Sequence, residues 1–253
     1  MKFKLKQQKL VDLLEKLLVK DIFTTCVFSV KQGTLFSVEK EEHGRAMRFL
    51  KVNKNFFEDI DESTESIELN LEKTLSIVKT ILPETELTFE TKGNKVVISG
   101  KNVNANISFK EPTEILEKMP FETKDGVLHF VSSKMKDNIP LDRHFIIKLP
   151  DFKDIGQFAN NLGTEFYKFM LDGKLSVRIG DLHDFSDYVV FSPETTVKSG
   201  KDLEVFFTYG IPQIAATFQQ DVNVKTKTNS PGWFYESTDE YTLGVLIPPY
   251  VES

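Results

Sequence analysis

Residues 67–100 read IELNLEKTLSIVKTILPETELTFETKGNKVVISG, and the pattern changes period twice. Ile67 and Leu69 alternate as in a short strand. Leu71, Leu75, Val78, Ile81 and Leu82 then recur at three- and four-residue spacing, as on one face of a helix, and Pro83 ends that helix. Two alternating runs follow, joined at Lys92-Gly93-Asn94, and read as a hairpin.

The same plan recurs three more times. Residues 2–39 give strand KFKL, helix QKLVDLLEKLL and a hairpin FTTCVFSVKQGTLFSVE turning at Gly33. Residues 145–180 give FIIKL, DFKDIGQFANNL and EFYKFMLDGKLSVRIG, turning at Asp172-Gly173. Residues 203–236 give LEVFFT, IPQIAATFQQ and DVNVKTKTNSPGWFYE, turning near Pro231-Gly232. Gly33 and Gly173 are 140 residues apart and Gly93 and Gly232 are 139 apart, so the repeat is nested. The expected fold is α+β: two tandem similar domains, each a duplicated β-α-β-β-β unit with helices on one face of antiparallel sheets. The boundaries expected are 1–110, a connector 111–142, and 143–253.

The 253 residues suit two domains, each large enough for its own core. A formal charge of −6 argues against a protein that coats nucleic acid indiscriminately, although it allows a basic surface on one face. The single cysteine, Cys26, excludes an intrachain disulfide framework and fits a reducing compartment. The start MKFKLKQQ lacks the apolar run of a signal peptide, and no stretch has the length of a membrane span. The expected location is cytoplasmic, near the nucleoid, or a nuclear or viral replication site if the source has one.

In the first helix Leu10, Leu13, Leu14, Leu17 and Leu18 form the buried stripe; in the third, Phe152, Ile155, Ala159 and Leu162; in the fourth, Ile211, Ile214, Ala215 and Phe218. On the four opposite faces Lys9, Lys16, Lys20, Lys73, Lys79 and Lys153 stand against Asp12 and Glu72, with amides and hydroxyls between. Lysines and amides without an aromatic platform suit phosphate contact rather than base reading. An ordinary solvated surface is the plainer account of the same pattern.

Candidate chemistry is sparse. Glu41, Glu42 and His43 stand together in the stretch VEKEEHGRAMRFLKV, but no second ligand pair lies at metal-site spacing, and a solvated turn before the strand of Ala46, Arg48 and Leu50 explains them. His183 and Asp184 lack an accompanying nucleophile motif, and His129 reads as a partly exposed strand residue in GVLHFV. There is no phosphate loop, CxxC pair or HExxH. The pattern points to a binding scaffold without cofactor, metal or catalytic residues. The connector holds Pro112, Pro120 and Pro140 with an apolar cluster at Ile115, Leu116 and Met119, and connectors of that length are usually functional or disordered.

The plan as a whole resembles the sliding clamps of the proliferating cell nuclear antigen type, in a divergent archaeal, viral or phage-like form. The local matches are NLEKTLSIVKTI, TTCVFSV, EEHGRAMRFL, LPDFKDIGQFANNL and the ending VLIPPYVES. They cover nearly the whole chain, and the likeness rests on their order and spacing. It implies the DNA clamp fold, assembled as a trimeric ring with helices lining a hole for duplex DNA. The six lysines would then contact phosphates without sequence preference, which lets a ring slide. The resemblance maps the subunit interface to Asn104, Ala105, Ile107 and Phe109 on one chain and Leu175, Val177 and Ile179 on the next. It also implies a pocket for a helical docking motif, formed by His43, Ala46, Ile115, Leu116, Met119, Pro231, Ile247, Pro248 and Pro249. The partners so implied are a DNA polymerase, a clamp loader, and a ligase or nuclease, with roles in DNA replication and repair as a processivity factor, and no membrane. Three features depart from the family: a fourth helix without lysine, a longer connector, and Pro248 where alanine is common. A checkpoint-type clamp subunit of a heterotrimer, a monomeric peptide-binding adaptor, and an enzyme using His183, Asp184 or His43 are the rival readings.

Overall fold

The computed structural model describes residues 1–19, 22–112, 120–131, 137–180 and 187–250. It contains the strand-helix-hairpin unit four times, each with a further strand. The first copy is β1 (Lys2–Lys6), α1 (Gln7–Leu17), β2 (Thr25–Lys31), β3 (Thr34–Lys40) and β4 (Met47–Val52). A short β5 (Asp59–Ile60) precedes the second: β6 (Glu65–Asn70), α2 (Leu71–Val78), β7 (Glu86–Lys92), β8 (Lys95–Gly100) and β9 (Val103–Ser108). The connector carries β10 (Phe121–Lys124), β11 (Val127–Phe130) and β12 (Ile139–Pro140), which form a small sheet of their own. The third copy is β13 (Arg143–Ile147), α3 (Leu149–Leu162), β14 (Tyr167–Asp172), β15 (Lys174–Gly180) and β16 (Tyr188–Phe191). After β17 (Thr195–Ser199) comes the fourth: β18 (Asp202–Phe207), α4 (Ile211–Thr217), β19 (Val222–Thr226), β20 (Gly232–Ser237) and β21 (Tyr241–Ile247). No described helix is long and apolar enough to cross a membrane.

The chain forms two compact units. Unit 1 is Met1–Glu39, Arg48–Glu117 and Ser237–Leu243; unit 2 is Lys40–Met47, Lys118–Glu236 and Gly244–Ser253. In unit 1 one antiparallel sheet runs β5-β1-β7-β8-β9 and a second contains β6, β2, β3 and β4 in that order. Phe3 stacks on Phe89 at 4.5 Å, and Phe28 meets Phe89 edge-on at 6.4 Å, which joins the inner faces of the two sheets. Unit 1 also holds a buried ion pair: Arg48 is 1% exposed, pairs with Glu39 at 2.9 Å, donates to the Thr25 carbonyl and lies over the Phe23 ring. The alternation of Ala46, Arg48 and Leu50 thus carries a charge inward, paired as burial requires.

Unit 2 repeats the arrangement with sheets ordered β16-β15-β14-β18 and β17-β13-β19-β20-β21. Its core centres on Phe234, whose ring lies 5.3–6.0 Å from those of Phe207, Phe169 and Phe152. Helices α3 and α4 touch through Gly156: a Cβ there would lie 3.0 Å from Pro212 Cα.

Two expectations change. Gly33, Gly93 and Gly173 sit at hairpin turns with φ of +70°, +59° and +68°, but the fourth hairpin turns at Asn229 (φ +55°). Gly232 instead opens β20, where a Cβ would meet the Phe207 ring at 2.6 Å, so the glycine makes room for an aromatic core rather than a turn. Leu82, read as the last residue of the second helix's stripe, lies beyond the end of α2 and is 77% exposed.

The Gly156 contact is with backbone, which cannot swing aside. Gly156→Leu should therefore cost about 1–3 kcal/mol, read as a lower urea midpoint; an unchanged midpoint would contradict the described α3–α4 packing.

Candidate functional site

The structure revises the expected basic character of the helix faces. Lys9 turns back on its own unit: its Nζ donates to Glu240 at 2.8 Å and to the Phe56 carbonyl at 3.0 Å. Lys16 is buried at 6% exposure, with Nζ 4.9 Å from the centre of the Tyr241 ring. The seven-residue step from Lys9 to Lys16 is nearly two full turns, so both lie on the flank of the leucine stripe and not opposite it. The open face of α1 is Gln8, Asp12 and Glu15. Lys73, Lys79 and Lys153 are exposed, with Lys79 paired to Glu15 at 2.6 Å. Lys20 lies outside the described residues. Across the solvent-facing helix surfaces Asp12, Glu15, Glu72 and Asp154 balance or outweigh these three lysines, so the surfaces are polar rather than basic.

The sheet borders are a second candidate surface. Strand β9, carrying Asn104, Ala105 and Ile107, is the last strand of its sheet, and Phe109 follows it half-buried. Leu175, Val177 and Ile179 are not at a border. They are 0–1% exposed on β15, which pairs with β14 on one side and β16 on the other. The border strand is β16, where Tyr188 and Val190 are 48% and 55% exposed. Neither β9 (VNANIS) nor β16 (YVVF) has the charges or proline with which sheet edges are usually protected. A groove of about 840 Å³ lies at the β8–β9 turn, lined by Leu82 and Val103 among others, and one of about 500 Å³ is lined by Ser192 and Val197, on the segment that follows β16.

The third surface is the 41–46 turn with the last strand. Glu41 organises the turn: its Oε2 accepts from the N–H groups of His43 and Arg45, and its Oε1 from the Arg45 guanidinium, each at 3.0 Å. Arg45 in turn lies 4.1 Å over the Tyr209 ring. Burial opposes ionisation of Glu41, but the Arg45 and His43 donors outweigh it and hold the carboxyl below its ordinary value. His43 and Pro248 are exposed, Pro249 is half-buried, and Ala46, Pro231 and Ile247 are buried; all six belong to unit 2. Ile115, Leu116 and Met119 lie outside the described residues, as do His183 and Asp184. His129 is half-buried on β11 with Nδ1 3.1 Å from the Val127 carbonyl.

With this geometry in hand, the chain can be set beside known proteins. No family model matches the sequence, and no curated protein matches it. Solved structures match over the full length. Proliferating cell nuclear antigen from Entamoeba histolytica superposes with a TM-score of 0.80 at 12% identity, covering 99% of this chain and 98% of that one. The chain has the fold of the PCNA clamps. The A. fulgidus PCNA, solved with the C-terminal region of FEN-1 bound, gives 0.74 at 14% identity and covers 100% and 99%. PCNA from Thermococcus kodakaraensis gives 0.72 at 13%, covering 98% and 99%.

Several residues escaped the sequence reading. Tyr188 and Val190 follow a stretch without periodicity, and only their adjacency in a four-residue apolar run signals a strand. Glu15 was legible, since Asp12 and Glu15 are three apart on the face away from Leu10 and Leu14.

Glu41 gives a testable consequence. Its lowered pKa means the turn's tether is complete above about pH 4.5 and is lost as pH falls through the lowered value. Glu41→Ala should cut the hydrogen-exchange protection of the His43 and Arg45 amides about tenfold, on the order of 1–2 kcal/mol. Acidifying the native protein should have the same effect; protection indifferent to both changes would contradict the assignment.

Proposed function

We propose that the chain is one subunit of a trimeric ring that encircles duplex DNA and tethers replication and repair enzymes. The observation that carries this is the pair of unprotected strand edges, β9 in unit 1 and β16 in unit 2, on a chain with the PCNA fold. Each edge has backbone donors and acceptors without partners in its own sheet, and the apolar Val103 on one and Tyr188 and Val190 on the other. Pairing β9 of one copy with β16 of the next satisfies both. Such a contact is head-to-tail, so it either closes into a ring or grows without limit. The closed ring is the reading that fits the fold.

In that ring Lys73, Lys79 and Lys153 are the DNA contacts. Because carboxylates share their surface, retention rests on the closed ring more than on phosphate attraction, and its salt dependence is shallow. The 41–46 turn with Pro231, Pro248 and Pro249 is the docking site for short motifs of client enzymes, among them a polymerase, ligase or nuclease. A clamp loader opens the ring, and the chain itself catalyses nothing. The balance of charge on the helix surfaces favours one second reading: a member of a hetero-oligomeric ring, in which sister chains supply the basic lining.

A threading experiment tests encirclement without a loader. The protein is incubated with linear duplex, both ends are then blocked with streptavidin, and the complex is washed in high salt. The protein should stay on the blocked DNA and be released when a restriction enzyme cuts it. Release by salt alone, or retention after cutting, would contradict encirclement.

A further inference from the structure

The sheet β17-β13-β19-β20-β21 of unit 2 has two faces with different chemistry. Phe145, Ile147, Val222, Val224 and Phe234 are fully buried, so the alternate positions His144, Ile146, Asn223, Lys225, Trp233 and Tyr235 belong to the other face. The registers align them in rows. His144 is opposite Lys225 and Lys225 opposite Trp233; Ile146 is opposite Asn223 and Asn223 opposite Tyr235. Lys198 adjoins the first row, at the bulge where β17 pairs with His144.

This face combines unbalanced positive charge with half-exposed apolar surface. Among the described residues, neither Lys225 nor Lys198 has a carboxylate within ion-pair distance, and the His144 ring nitrogen Nε2 meets only Asn223 Oδ1, at 3.1 Å. Lys225 is half-buried beside Tyr235, with Nζ 5.9 Å from the ring centre, and burial holds it below the ordinary lysine value. Burial lowers His144 too, helped by the charges of Lys225 and Lys198. A partly desolvated cation without a counter-charge is costly, and an arriving carboxylate would relieve that cost. In a chain of net charge −6 such a cluster is a local exception. Ile146, Tyr235 and the connector's Phe121 supply the apolar part, Phe121 packing on Trp233 at 5.2 Å.

We infer that this face docks an acidic peptide segment carrying an apolar side chain, its carboxylates meeting Lys225, Lys198 and His144 and its apolar group resting on Ile146 and Tyr235. Single-stranded nucleic acid fits less well. Base stacking needs an open ring face, and Trp233 is 6% exposed, with Phe121 and Tyr235 against it and Gly244 within contact of its six-membered ring. None of its residues belongs to β9, to β16 or to a helix, so its test stands whether or not the chain forms a ring.

Trp233 is the only tryptophan, so its emission reports directly on this face. The full chain is titrated with a dye-labelled peptide Glu-Leu-Glu-Leu-Glu-Glu, following peptide anisotropy and Trp233 emission together. Binding should shift the emission, and replacing the glutamates by glutamine should weaken it about tenfold or more. Lys225→Glu and Lys198→Glu, the latter at an exposed position of β17, should each weaken it similarly, while Lys95→Glu, an equal charge change on unit 1, should not. Lys198 lies on a border strand, so its variant keeps the test decisive even if Lys225→Glu fails to fold. No binding by the native chain, equal binding of the glutamine peptide, or equal binding by Lys198→Glu would overturn the proposal. Binding of a deoxythymidine oligonucleotide that competes with and exceeds the peptide would overturn it in favour of nucleic acid.

Discussion

A strand at the border of a sheet carries backbone N–H and C=O groups that its own sheet cannot satisfy, and this constraint shapes the chain. Some of the described borders are short or covered. β5 is two residues long, and the Phe206 carbonyl on β18 receives the Tyr250 N–H at 2.8 Å. Among the described border strands β9 and β16 are six and four residues long, uncharged and free of proline. Soluble proteins do not usually leave such edges open. The fourfold duplication explains why they occur in a pair: β9 closes the second copy and β16 the third, and each is the last strand of its own sheet.

The plan of the fold was legible because each element writes its period into the sequence. A leucine at every third or fourth position buries one stripe of a helix, and alternation buries one face of a strand, whatever the rest of the chain does. Position along a sheet leaves no such mark. Val177 on β15 and Val190 on β16 are similar residues in similar strands, yet one is inside and the other at the border, and only topology distinguishes them. The same blindness affects helix flanks. Lys16 sits beside the stripe, where its stem is buried and its ammonium finds an aromatic ring, so a charged residue next to a stripe is a poor marker of solvent. Gly232 shows the converse error, because a glycine after proline reads as a turn when its reason is the Phe207 ring above it.

The helix surfaces set this chain's electrostatics apart from a simple basic lining. Once Lys9 and Lys16 are withdrawn, lysines and carboxylates are nearly balanced there, and the Glu15–Lys79 pair is half-exposed, worth about 0–1 kcal/mol at most. Unbalanced cationic character lies elsewhere, on the far face of the unit 2 sheet around Lys225. A ring of such chains would hold DNA by enclosure and meet other proteins through its sheets.

The central claim is that β9 and β16 complete one another between copies. Light scattering over a range of concentrations measures it most directly, with native protein beside Val190→Asp. Three chains of 29.0 kDa make a particle of about 87 kDa, which the native protein should approach on concentration while the variant remains at the mass of one chain. A native protein that stays monomeric at all concentrations, or a variant that assembles equally well, would contradict the account.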